Sequence, residues 1–108
     1  MKKVKNGMIR LCAITDIQCG DMLPIDQEGM PPLAVFNLDD KIYVTSNICT
    51  HNVARLTDGF FEDGLIECPL HSGAFDVKTG EPEAFPCEIP LKTYEATIKD
   101  GFVYIDQI

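Results

Sequence analysis

Both histidines of the chain and two of its five cysteines fall in two short groups, Cys49-Thr50-His51 and, after sixteen further residues, Cys68-Pro69-Leu70-His71. Thiolates and neutral imidazoles are ligands for transition metals, and each group projects one of each from a few residues of chain. A lone histidine is more often a surface or satisfied core residue, and a lone cysteine a small buried hydrophobe. Two histidines at matched offsets from two cysteines are poorly explained that way. Two chemistries then remain. One is a structural zinc site, because Cys2His2 is a standard tetrahedral set. The other is an iron–sulfur centre with mixed sulfur and nitrogen ligation. Zinc fingers put their histidine pair together on a helix, whereas here each group holds one ligand of each kind.

Converging loops need a rigid frame, and the surrounding sequence supplies strands. Seven prolines and eight glycines are scattered so that few dozen-residue stretches escape them, which argues against long helices. Residues 32–38 and 41–46 are rich in Val, Ile, Tyr and Phe and flank Asp39-Asp40, which predicts a hairpin. Residues 60–62 and 65–67 flank Asp63-Gly64, and residues 92–98 and 102–106 flank Asp100-Gly101, two more hairpin signals. In 92–98, Tyr94, Ala96 and Ile98 alternate onto one face. Further strands are expected at 8–13 and 21–25. The predicted fold is all-β, an antiparallel sandwich or partly closed barrel. Two stretches, 47–59 and 68–90, are read as irregular, and loops that long in a small domain usually carry function. The 63–64 hairpin lies between the two ligand groups and would bring them together.

The Cys-x-His and Cys-x2-His pairs are the arrangement that Rieske 2Fe-2S centres require, two thiolates on one iron and two imidazoles on the other. With Cys49, Cys68, Ile66-Glu67-Cys68-Pro69-Leu70-His71, Leu56-Thr57-Asp58-Gly59, Gly73-Ala74-Phe75-Asp76 and Thr79-Gly80, the chain resembles the Rieske-type ferredoxins of bacterial three-component aromatic-ring-hydroxylating dioxygenases over nearly its whole length. The resemblance implies one domain over 1–108, with a small cluster-binding subdomain formed by two loops at about 47–90 inserted in a β base. It implies one Rieske 2Fe-2S cluster held by Cys49, His51, Cys68 and His71. One departure is Asn52, where the family usually has Gly; Asn also tolerates positive φ.

Respiratory and photosynthetic Rieske subunits resemble the same motif but bridge their cluster loops by a disulfide, with cysteines where this chain has Ala54 and Leu70, and place a serine and a tyrosine where it has Gly73 and Phe75. Hydrogen bonds to cluster sulfurs favour the reduced state, so their absence implies a potential near the lower end of the Rieske range of roughly −150 to +300 mV. The resemblance further implies an electron carrier between a flavin-containing, NAD(P)H-dependent reductase and a terminal oxygenase, with no catalysis of its own. Both histidines are already committed, which leaves none for the mononuclear iron of an oxygenase. Pro86 resembles the proline loop that covers the cluster in this family, and is equally readable as an ordinary turn proline. Val53, Ala54, Leu70 and Pro86 are read as an apolar collar around the histidines. Cys87 is assigned a buried structural role, and Cys12 and Cys19 are expected to pack or lie exposed.

The chain has 108 residues and a formal charge of −8, seventeen acidic side chains against nine basic ones. Nucleic acid is disfavoured as a partner, because phosphate backbones are held by clustered Lys and Arg. Asp58, Glu62, Asp63 and Glu67 are candidates for steering a basic protein surface, or a solvated face only. No apolar run approaches the roughly 20 residues of a membrane span, so a soluble, cytoplasmic protein is expected, with a monomer as the default. An odd cysteine count fits thiols and metal ligands in a reducing compartment better than disulfides. Two other readings stand beside the ferredoxin: a Rieske-like small subunit of an assimilatory nitrite reductase, and a zinc-stabilised interaction module.

Overall fold

Three two-residue turns set the strand registers. Asp39 and Asp40 both adopt positive φ (54° and 68°), as do Asp63 (56°) and Asp100 (53°) with the glycines that follow them. Aspartate tolerates this left-handed backbone, and turns with positive φ at both central residues match the right-handed twist of the strands they join. At the first turn, where no glycine helps, the Asp40 N–H donates to Asn37 Oδ1 at 2.8 Å.

The computed structural model describes residues 7–50, 54–69, 73–85 and 87–106. Among them the strands are β1 (Met8–Ala13), β2 (Met22–Ile25), β3 (Leu33–Leu38), β4 (Lys41–Ser46), β5 (Phe60–Glu62), β6 (Leu65–Glu67), β7 (Ala74–Asp76), β8 (Pro82–Ala84), β9 (Thr93–Tyr94), β10 (Thr97–Lys99) and β11 (Phe102–Asp106). They form three antiparallel sheets, in the orders β1-β11-β10, β2-β3-β4-β9 and β5-β6-β7-β8. Among the described residues, helix is confined to two single 3-10 turns, Ile14–Asp16 and Leu56–Asp58. The all-β expectation holds.

The central sheet is shared. Leu33 and Val35 of β3 pack with Val44, Leu11, Val103 and Ile105 in one core, against the β1-β11-β10 sheet. Ala34 and Phe36 point the other way, into a second core with Ile66, Phe75, Leu56 and three cysteines. Side chains of a strand alternate faces, so a strand covered on both sides reads as a continuous apolar run, as residues 33–36 do. Phe36 meets Phe61 in that second core, rings 4.9 Å apart and tilted by 58°.

Two strand expectations need correction. Residues 92–98 are not one strand: β9 pairs with β4 while β10 pairs with β11, and the chain changes sheets between them. Tyr94 and Ala96 pack against the first core, but Ile98 is 49% exposed. The apparent alternation joins two short elements. The stretch 68–90 is likewise not irregular throughout, since it contains β7 and β8. Both have only three residues, and β8 opens on Pro82, which is tolerated because the strand lies at a sheet edge.

Candidate metal centre

The first ligand loop is zipped at its base. Cys49 N–H donates to the Ala54 carbonyl at 2.9 Å, and just outside this pair Ile48 and Arg55 form an antiparallel bridge. Asn47, fully buried, locks the next layer: Leu56 N–H donates to its main-chain carbonyl, Thr57 N–H to its Oδ1 at 2.9 Å, and its Nδ2 donates to Thr57 Oγ1 at 3.0 Å. The second loop closes in the same way, by a 2.7 Å bond from Cys68 N–H to the Gly73 carbonyl. Each loop therefore starts at a cysteine and is pinched shut by that cysteine's own amide.

Two glycines let the loops meet. A Cβ on Gly59 would strike the Glu67 carbonyl and approach Pro69 Cδ to 3.1 Å, so the end of the first loop lies directly against the start of the second. A Cβ on Gly73 would strike Cys87 Sγ. Neither glycine has a positive φ; both are needed for close approach.

Cys49 and Cys68 are each 2% exposed and belong to the same core cluster. The structure thus brings the two predicted thiol ligands into one buried site at the bases of the two loops. His51 and His71, the other half of the predicted set, lie outside the described residues, as do Asn52, Val53, Leu70 and Pro86. Ala54, predicted for the apolar collar, packs half-buried against the core. Cys12 is half-buried and Cys19 exposed, apart from the site. Burial, with the nearby charge of Asp16, pushes the Cys12 thiol up.

Cys87 is buried as expected but has a closer relation to the site than a structural role implies. It lies in the same buried cluster as Cys49 and Cys68. Burial first, then its nearness to Cys49 and Cys68, pushes its thiol up to about 12. A third loop carries it, fixed by Cys87 N–H to the Ala84 carbonyl at 3.1 Å and tied to the first loop by the Thr50 hydroxyl, which donates to the Ile89 carbonyl at 2.6 Å. No ligand-spacing rule singles out a lone cysteine in a proline-rich segment, so the sequence held no signal for this contact. The same loop presents Phe85 (80% exposed) and Ile89 (63%) to solvent.

A family model described as the Rieske [2Fe-2S] domain matches residues 7–95. The chain belongs to the Rieske family. This Rieske chain is 44% identical over 98 residues to the ferredoxin component of the naphthalene 1,2-dioxygenase system of Pseudomonas putida, covering 91% of this chain and 93% of that one. Among solved structures, a ferredoxin of Sphingomonas yanoikuyae B1 is 51% identical with a TM-score of 0.90, covering 93% of this chain and 98% of that one. The ferredoxin in a complex with the oxygenase of carbazole 1,9a-dioxygenase is 40% identical with a TM-score of 0.88, covering 93% of each chain. The resemblance read from the sequence is therefore to the right family, and its cofactor is a Rieske [2Fe-2S] cluster rather than zinc. The described donor set fits that cofactor, since two buried, soft sulfur donors at facing loop bases are what an iron held by two thiolates needs. Among the described residues no helix is long and apolar enough to cross a membrane.

Proposed function

We propose that this chain is the electron-carrying ferredoxin of an aromatic-ring-hydroxylating dioxygenase system, accepting one electron from an NAD(P)H-dependent flavin reductase and delivering it to the terminal oxygenase. The observation that carries this reading is the burial of Cys49 and Cys68 together at the bases of two amide-pinched loops, in a chain of the Rieske family. Support for the partner comes from relatives named as ferredoxin components of dioxygenase systems, one of them in complex with its oxygenase.

In this reading Cys49 and Cys68 hold the inner iron and His51 and His71 the outer one. Bound, the cluster supplies a single reversible one-electron couple. The protein's part is to hold and shield. The two cysteine amides and the Asn47 bonds fix the thiol positions, and the second core, with Phe36, Phe75 and Leu56 fully buried, closes the inner side to water. Phe85 and Ile89 form the exposed apolar rim of the third loop, a small contact suited to an encounter that must form and release quickly. The base sheets and the 47–90 insertion act as one domain.

Electron paramagnetic resonance of the dithionite-reduced protein tests the assignment. Mixed nitrogen and sulfur ligation lowers the average g value below that of an all-thiolate cluster, and the low value is the expected result. An all-thiolate signal removes the histidines from the site. Potentiometry of the same sample should place the midpoint in the lower half of the range from roughly −150 to +300 mV.

A further inference from the structure

Two loops carry the candidate ligands, and the third reaches both of them. Its Cys87 is buried in one cluster with Cys49 and Cys68, and Gly73 of the second loop has no side chain where Cys87 Sγ lies. Both ends of this segment are anchored: Cys87 N–H donates to the Ala84 carbonyl at 3.1 Å, and the buried Leu91 donates its N–H to the Gly80 carbonyl at 2.8 Å. The span between the anchors has no such support. Glu88, Ile89 and Pro90 are all exposed and lie outside the strands, and a proline has no N–H to give. What reaches this span is the Thr50 hydroxyl, which donates to the Ile89 carbonyl at 2.6 Å across a separation of 39 residues. Threonine hydroxyls ordinarily bond main chain within a few residues, so this contact is no by-product of a local turn. Thr50 itself directly follows Cys49, whose amide is already fixed on the Ala54 carbonyl.

We propose that Thr50 is a positioning residue, a latch that holds the exposed span 88–90 against the first ligand loop and so keeps the side of the thiol pair lined by Cys87 closed to solvent. The purpose of that shield rests on the ferredoxin reading, in which Cys49 and Cys68 hold iron; the latch itself is a bond between two loops. Without the hydroxyl, the arch from Cys87 to Leu91 keeps only its feet, and the foot at Cys87 is a turn bond to Ala84 that can move with it. The arch then lifts more often. A reagent that must pass beneath it reacts at a rate proportional to the open fraction, as long as closing is faster than attack. Water competes for a bond at the surface, so losing the latch raises that fraction by a small factor, about threefold. Ile89 is also one of the two exposed apolar side chains of this loop, so the same bond fixes part of the docking rim beside the first ligand loop.

Two measurements on the holoprotein test this, each made on wild type, Thr50→Val and Thr50→Ser. Valine keeps the shape of threonine without the hydroxyl, and serine keeps the hydroxyl. Hydrogen–deuterium exchange at the Cys87 and Leu91 amides should run about threefold faster in Thr50→Val and at the wild-type rate in Thr50→Ser, with the β1–β11 amides unchanged in both. Anaerobic loss of the cluster's visible absorbance to excess iron chelator should follow the same order, about threefold faster in the valine variant and restored by serine. Wild-type exchange in Thr50→Val overturns the proposal, as does a serine variant that behaves like valine. Acceleration spread evenly over the β1–β11 amides overturns it too, because that is general destabilisation. If Thr50→Val takes up no cluster, Thr50→Ala repeats the comparison, and failure of both to load refutes a latch worth only a small factor. Failure of the ferredoxin reading would show elsewhere, in a wild-type protein that itself lacks the Rieske signal in electron paramagnetic resonance.

Discussion

Asn47 forms one side of a buried polar exchange in which Thr57 supplies the other, and every polar atom of its amide group is used. Replacing it with Ala leaves the part-buried Thr57 N–H without its acceptor, a penalty of about 1 kcal/mol. Chemical denaturation of Asn47→Ala should record that loss, with the first ligand loop the first region to gain proteolytic sensitivity. At this scale the sequence pointed to candidate ligands and was silent about their supports. Matched offsets singled out Cys49, His51, Cys68 and His71 as candidates because ligation demands particular side-chain types at short spacing; the structure buries Cys49 and Cys68 together, and both histidines lie outside the described residues. Asn47 and Cys87 meet partners distant in sequence, Thr57 and Pro32 for one and Gly73 for the other, and a linear reading has no periodicity that reports such pairs.

The elements meet at points without spare volume. Gly59→Ala would drive a methyl group into the Glu67 carbonyl, and main chain held in the β5–β6 ladder has little freedom to withdraw. A loss of about 1–3 kcal/mol is expected, as for other overpacked sites, read as a lower urea midpoint, together with slower or incomplete cluster uptake. Hairpins were legible because Asp-Gly and Asp-Asp turns are local chemistry, and β4, β5 and β6 begin and end where their turn residues require. β7 and β8 were not, since three-residue strands owe their existence to pairing with neighbours rather than to composition. The sheet change between β9 and β10 escaped for a related reason: Tyr94, Ala96 and Ile98 keep a strand's rhythm while serving two sheets.

For the molecule as a whole, a net charge of −8 on 108 residues sets a long-range field. Asp58, Glu62, Asp63, Glu81, Glu83 and Glu88 are all exposed in or beside the ligand-loop half of the chain. Reduction by a reductase with a basic docking face should slow as ionic strength rises from about 0.01 to 0.15 M, as the screening length shrinks from about 30 to 8 Å. Stopped-flow rates that are flat over that range would assign docking to the apolar rim alone. Charge sign was readable from composition and the all-β class from turn signals and strand-rich segments; the stacking of three sheets was not, because it depends on β3 having both faces covered. That double coverage has a consequence for how the protein comes apart. With Leu33 and Val35 rooted in one core and Ala34 and Phe36 in the other, neither half can melt and leave the other a finished surface. Hydrogen–deuterium exchange should therefore find its slowest amides in β3, and calorimetry a single cooperative endotherm, so that damage at the iron-binding end lowers the melting temperature of the far sheet as well.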